Sequence, residues 1–289
     1  MGLTGAAYSE GLFSVAANPA GLAFLKKLEL GFSHYPGVSS SDDEEYFNQE
    51  TFAVALRVHN NTVVSFNCLH FDYGNEGSGL RIPGVSASHL ITWGQNLFSL
   101  GMTAKYFDER IDDFKANVFW FDVGARYKLL GANRESLSLG LSLSNVGKDL
   151  KDESGFVFAT PLKLLRAGMA YQTRRIGDSI LNMLATIEYQ RSLRKEETSR
   201  YSQYYRWHHL GTGLEARFSD YLFGRIGYNF DLADVENKTR GLTYGLGFTT
   251  PEKFSKSIPI FVSLSYGRSL MRLRDYDQNA FNVEIGFEP

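Results

Sequence analysis

The chain is poor in the features that mark several familiar protein classes. It holds one cysteine, Cys68, in 289 residues, so neither an internal disulfide nor a thiolate metal cluster can form. Proline is scarce, at 7 residues, which leaves long stretches free to pair in sheets. No segment approaches the run of roughly 18 apolar residues that a membrane-crossing helix needs. No basic block is present and the formal net charge is -2, so nucleic acid is not an expected partner. Met1 is not followed by the charged start and apolar core of a signal peptide. The expectation is a signal peptide already removed, or a chain that never carried one.

Glycine (28 residues) and aromatics (14%) are plentiful, a balance that suits many strands joined by turns. Mean hydropathy is -0.23, as in a soluble protein. A transmembrane barrel gives the same value, because only alternate residues face lipid. Alternation of period two recurs almost to the end of the chain. Leu137, Leu139, Leu141 and Leu143 are interleaved with Ser136, Ser138, Gly140, Ser142 and Ser144, so one face is all leucine and the other all small or polar. Phe119, Phe121, Val123, Ala125 and Tyr127 alternate in the same way with Trp120, Asp122, Gly124 and Arg126.

This reading places strands near 26–35, 50–58, 62–72, 84–94, 97–108, 117–128, 136–145, 162–173, 180–191, 206–217, 221–229, 241–249, 259–269 and 279–287. That is about fourteen strands, an even number, each near the length a tilted strand needs to cross a bilayer. Connections sort by parity. His59-Asn60-Asn61 and Gly94-Gln95-Asn96 are brief, whereas Pro36 to Gln49 and Val146 to Pro161 are long and polar. Outer-membrane barrels alternate tight turns at one end with larger loops at the other. Glu109 to Ala116 is shorter, and Thr250 to Ile258 longer, than this rule expects. Tyr35, Tyr73, Tyr106, Tyr189 and Phe230 are expected at the long-loop interface. Trp93, Tyr127, Tyr171, Tyr221 and Phe248 are expected at the short-turn interface, although aromatics are also simply good strand formers.

Residues 1–25 break the alternation. Ala6 to Leu25 is rich in Ala and Gly and contains Asn18-Pro19-Ala20-Gly21-Leu22, a turn in which proline fixes φ and glycine permits close approach to a wall. Met1-Gly2 followed by Asn18-Pro19-Ala20-Gly21-Leu22-Ala23 resembles the opening of the PorV/PorQ family, within the FadL-like superfamily of outer-membrane barrels. Leu100-Gly101-Met102-Thr103-Ala104-Lys105, Asp122-Val123-Gly124, Ser144-Asn145-Val146-Gly147 and Pro161-Leu162 are similar in order. The resemblance implies a fourteen-stranded barrel with an amino-terminal hatch in the lumen. It also implies that Met1 falls inside the mature pattern, with the natural amino terminus missing. Ser9-Glu10-Gly11 stands where the family usually has an acidic pair, which puts a role for that pair in doubt.

The fold expected is therefore all-β, a transmembrane antiparallel barrel over 26–289 with a hatch segment over 1–25, located in a bacterial outer membrane. Lumen-facing candidates by alternation are Lys105, Asp122, Arg126, Glu188, Glu215, Arg217 and Glu284. A turn near Asp113 would set Lys105 opposite Asp122. Ordinary interior ion pairs are the simpler reading of these charges; a network anchoring the hatch or lining a path is the other. No Gly-x-Gly-x-x-Gly, phosphate loop, Gly-x-Ser-x-Gly or His-Glu-x-x-His occurs, so neither catalysis nor a cofactor is expected. His208 and His209 are neighbours on a strand and cannot share a metal. Asn60-Asn61-Thr62 and Asn237-Lys238-Thr239 match glycosylation acceptors that a bacterial barrel would not use.

Two functions fit. The resemblance to PorV/PorQ implies protein secretion of the type IX kind, with secretion-machine subunits or cargo proteins as partners. The alternative is FadL-like passive transport of hydrophobic small molecules. Outer-membrane lipid is the expected surround in both.

Overall fold

The computed structural model describes residues 4–36, 48–72, 78–111, 114–131, 135–151, 157–159, 161–173, 181–193, 208–219, 221–232, 241–250, 260–271 and 278–287. Met1-Gly2, Tyr73, Asp113, Asn237-Lys238-Thr239 and the charged stretches Ser39 to Glu45 and Arg194 to Thr198 lie outside them. The strands are β1 (Leu28–Tyr35), β2 (Asn48–His59), β3 (Thr62–Asp72), β4 (Gly79–Trp93), β5 (Asn96–Ile111), β6 (Phe114–Leu130), β7 (Ser136–Gly147), β8 (Leu150–Lys151), β9 (Val157–Ala159), β10 (Leu164–Gln172), β11 (Leu181–Ser192), β12 (His208–Phe218), β13 (Leu222–Asp231), β14 (Gly241–Thr249), β15 (Ile260–Met271) and β16 (Gln278–Phe287). All but β8 and β9 form one closed antiparallel barrel of fourteen strands, each paired with its neighbour in sequence. The ring closes where β16 meets β1, with Leu28 opposite Phe287 and His34 opposite Phe281. Every strand thereby has two partners, and no row of unpaired N–H and C=O groups faces outward.

The sidedness is inverted relative to a water-soluble fold. Leu141 is 52% exposed and Val85 60%, while Ser142 is 2% exposed. Leu139, Phe119, Val123, Ile226 and Ile285 share the outward face. The outward rows make a continuous apolar band, far larger than a monomer in water can carry. Facing hydrocarbon, those side chains are in their own medium, and the inward serines need no lipid contact.

Three details differ from the sequence-based expectation. The β5–β6 ladder runs on to Ile111 opposite Phe114, so these strands extend as a ribbon where a loop was expected. Polar residues such as Asp108 and Lys115 continue the ladder past the apolar band, which explains the short connection. The stretch Val146 to Pro161, expected as a loop, carries the small β8–β9 pair. Tyr35 lines the interior rather than an outer belt, because it shares parity with Glu29, Gly31 and Ser33. Trp93 (78% exposed), Tyr171, Tyr221, Phe230 and Phe248 do point outward.

Leu141 sits midway along β7 and faces out. Leu141→Lys is expected to cost about 2–4 kcal/mol of folding free energy in bilayers, measured by denaturant titration of heat-modifiable gel mobility in lipid vesicles. An unchanged midpoint would show that this face does not meet hydrocarbon.

Candidate functional site: the occupied lumen

Residues 4–25 lie inside the ring of strands. They include two short 3-10 helices, Leu12–Ala16 and Pro19–Phe24. Asn18 starts the second: its Oδ1 accepts from the Ala20 amide at 3.0 Å and Pro19 occupies the first helical position, where a missing N–H costs nothing. Asn18, Pro19, Ala20, Gly21 and Leu22 are all buried. Asn18 also donates to the carbonyls of Ala6 (2.7 Å) and Ala125 (3.1 Å), so it ties the turn to the preceding chain and to β6 together.

The segment crosses the wall one residue per strand. Arg166, Ser142, Gly124, Gly101 and Ser88 stand side by side across β10, β7, β6, β5 and β4. Against that row lie residues 16 to 20 in order. Arg166 donates to the Ala16 carbonyl (3.2 Å) and Ser142 to that of Ala17 (2.7 Å). A Cβ at Gly124 would collide with Asn18, and one at Gly101 with the Pro19 backbone. Ser88 reaches the Ala20 carbonyl at 3.3 Å. Glycine is required at these two wall positions because the segment's backbone itself takes the place of a side chain. Gly140, in the neighbouring row, leaves room for Ala6 in the same way.

Charged wall residues hold the rest of the segment. Glu188 (1% exposed) accepts from the amides of Gly5 and Ala6, both at 2.6 Å; its second oxygen accepts from Gln190 at 2.8 Å. A buried carboxylate bound this way is charge-assisted and strong. Glu29 accepts from the Leu12 amide at 3.0 Å. Arg126 donates to the carbonyls of Tyr8 and Ser9 and to the Glu10 carboxylate, the last at 2.8 Å. Lys128 joins Glu10 at 3.0 Å. Burial alone would raise the Glu10 pKa, but Arg126 and Lys128 outweigh it and hold the carboxyl below its ordinary value. Its side chain stays 41% open to the lumen. This contact is therefore present above the ordinary carboxylate range and lost only as pH falls below it. Tyr8 donates to Glu215 at 3.1 Å; burial, then the Glu215 charge, push its pKa up to about 12, so it remains a donor. Glu215 also pairs with Arg225 (2.6 Å) and Arg217 (3.2 Å).

Of the lumen-facing residues expected from alternation, Arg126, Glu188 and Glu215 touch the segment, and Arg217 joins it through Glu215. Glu284 faces the cavity. Lys105 and Asp122 stand apart from the segment and pair with each other at 2.8 Å. Their register differs from that expected: Lys105 is opposite Trp120, and Asp122 is opposite Thr103. The ladder ends with Ile111 opposite Phe114, which sets this register, and the pair forms on the diagonal. Asn145, at a bulge between β6 and β7 with φ 59°, completes the group by accepting from Lys105 at 2.5 Å and donating its amide to Asp122 at 2.7 Å. His209 is buried beside Asn229, whereas His208 meets Tyr189. Among the described residues no cluster of His, Cys, Asp or Glu could hold a metal.

Above the segment, toward the long loops, an apolar patch interrupts the polar interior. Ile82, Phe107 and Trp120 are buried together, with Leu69, Phe71, Leu80 and Val118 packed on them. Phe107 and Trp120 rings lie 3.6 Å apart by centroid, and Trp120 Nε1 donates to the Lys148 carbonyl at 2.8 Å. The patch opens on a cavity of about 960 Å³ that continues past Tyr8, Glu10 and Phe13. The small wall residues and this patch were not among the candidates drawn from the sequence. Their signal is present, as glycines and large apolar residues at inward parity, but it means something only once the parity of every strand is known.

The class is thus a closed fourteen-strand barrel of the outer-membrane type. No protein-family model matches the chain, and no curated protein matches it. Solved structures do. The CymD monoaromatic hydrocarbon channel aligns with a TM-score of 0.56 at 12% identity, over 98% of this chain and 94% of that one. Omp33 of Acinetobacter baumannii gives 0.51 at 10%, over 92% and 100%. The toluene transporter TbuX of Ralstonia pickettii gives 0.50 at 13%, over 99% and 95%. At such identities the likeness is one of fold alone. The likeness to PorV/PorQ rests on sequence motifs, chiefly the opening one.

Glu188→Ala leaves the Gly5 and Ala6 amides without an acceptor, a loss of about 1–3 kcal/mol. Amide exchange across residues 4–25 should accelerate roughly 10- to 100-fold, read by hydrogen–deuterium exchange with strand amides as the internal reference. Unchanged exchange would mean that the glycine floor alone holds the segment.

Proposed function

We propose that this protein lies in a bacterial outer membrane and passes small hydrophobic molecules, with residues 1–25 as the hatch beneath their binding patch. The observation that carries the reading is the apolar patch of Ile82, Phe107 and Trp120 with Leu69, Phe71 and Leu80. Barrel interiors are normally polar, and burying each such side chain in contact with a ligand contributes about 1.5–3 kcal/mol. The cavity beside it is of the size that encloses a small organic ligand. Structures described as a monoaromatic hydrocarbon channel and a toluene transporter share the fold, which supports this substrate class.

The secretion reading finds less support. The cavity holds about 960 Å³, the size that encloses a small organic ligand. No folded cargo fits that volume, so a secretion role would act through the loops alone.

Trp120 reports on the patch directly. With Trp93→Phe and Trp207→Phe as background, toluene should quench or shift Trp120 emission saturably. Ile82→Asp should weaken the response at least tenfold, as expected from losing about 1.5–3 kcal/mol of apolar contact. Emission that ignores toluene up to its solubility limit, in a barrel that still shows heat-modifiable mobility, would refute the assignment.

A further inference from the structure

The hatch is held by β1, by Arg57 of β2, which donates to the Ala23 carbonyl at 2.9 Å, and by the wall from β4 to β12, and it packs on Ala53, Ala55 and Val63 of β2 and β3. None of these contacts goes to β13 to β16. There the cavity is lined by Ser263, Ser265, Asn282 and Glu284, with Ser33 and Thr51 of β1 and β2 beside them, all small or polar. The same cavity reaches both ends of the barrel. Phe71, Leu80 and Phe107 line it near the long loops, and Phe223, Thr249 and Phe261 line it beside the short turns. We infer that the plugged barrel keeps a second, water-filled route along β13–β16, through which small inorganic ions and small polar solutes cross. The route shares its long-loop mouth with the apolar patch, in the same cavity, and leaves it toward β13–β16.

Two aromatic rings mark the short-turn end of the route, and both are parked on glycine. Phe223 stands opposite Gly247 on β14, and Phe261 opposite Gly286 on β16. A Cβ on either glycine would collide with the ring facing it. Each phenyl therefore lies flat against the sheet, over the backbone of its partner strand, instead of projecting across the lumen. Arg225 and Arg217 stack on the Phe223 ring at 4.2 and 5.3 Å from its centroid and keep it on the wall. A cavity of about 960 Å³ has room for water and small ions beside the rings. The charged lining of the cavity balances: Lys105, Arg217 and Arg225 against Glu10, Asp122 and Glu284. Glu284 faces the cavity, and Arg225 acts on its carboxylate through space.

The full-length protein in planar lipid bilayers, bathed in potassium chloride, provides the test. Discrete conductance steps with weak selectivity between potassium and chloride are expected. Gly247→Ala and Gly286→Ala push the rings into the route and should lower the step at least twofold. Phe223→Ala with Phe261→Ala should raise it at least twofold, so a folding defect in the glycine variants does not decide the matter. Glu284→Lys should move the reversal potential toward that of chloride. A wild-type barrel with no steps above bare lipid, or steps that none of these variants alters, overturns the inference. The toluene response of Trp120 is read independently of conductance, so failure here is separable from failure of the transport reading.

Discussion

The constraint on which the rest depends is that a backbone surrounded by hydrocarbon must satisfy all its hydrogen bonds internally. A sheet does so only by closing, and closure here rests on the pairing of β1 with β16, the two ends of the barrel. Once the ring is shut, each strand has one face toward lipid and one toward the lumen. The alternation of leucine and serine along β7 is that division written into sequence. Removing apolar residues from the outer face would leave the hydrogen bonds intact but the barrel without a medium to sit in.

A closed ring of this size encloses more space than its own side chains fill. The amino-terminal segment occupies part of that space, and the wall is shaped to receive it. Where large side chains would be possible, the inner face of β4 to β10 offers Ser88, Gly101, Gly124, Gly140 and Ser142, and backbone takes the room they leave. Glycine does a second task elsewhere in the lumen. Gly147, Gly247 and Gly286 each receive an aromatic ring, from Trp120, Phe223 and Phe261. The first ring contributes to an apolar surface, and the other two are held aside from the lumen. Small residues thus decide which parts of the interior are filled and which stay open.

The interior charges follow the same logic. Glu188 and Arg126 bind backbone of the inserted segment, where a charge-assisted bond to a buried amide or carbonyl offsets desolvation. Lys105, Asp122 and Asn145 instead tie β5, β6 and β7 together at a bulge. Structural and functional roles for lumen charges coexist, separated by height in the barrel. The segment lies toward the short turns and the apolar patch toward the long loops, an order that suits a molecule arriving from the loop side.

The chain alone determined the number of strands, their sidedness and the alternation of long and short connections, because each is a local pattern of period two or a local run of polar residues. It also carried the turn Asn18 to Leu22, since proline and glycine act on their own neighbourhood. It did not carry the register of Lys105 against Asp122, which the pairing of Ile111 with Phe114 sets, nor the inward placement of Tyr35. Which glycines receive the segment, which receive rings, and that Leu69, Ile82, Phe107 and Trp120 converge on one patch were decided by tertiary structure alone. Those residues come from different strands, and only closure of the ring sets their heights and brings them face to face.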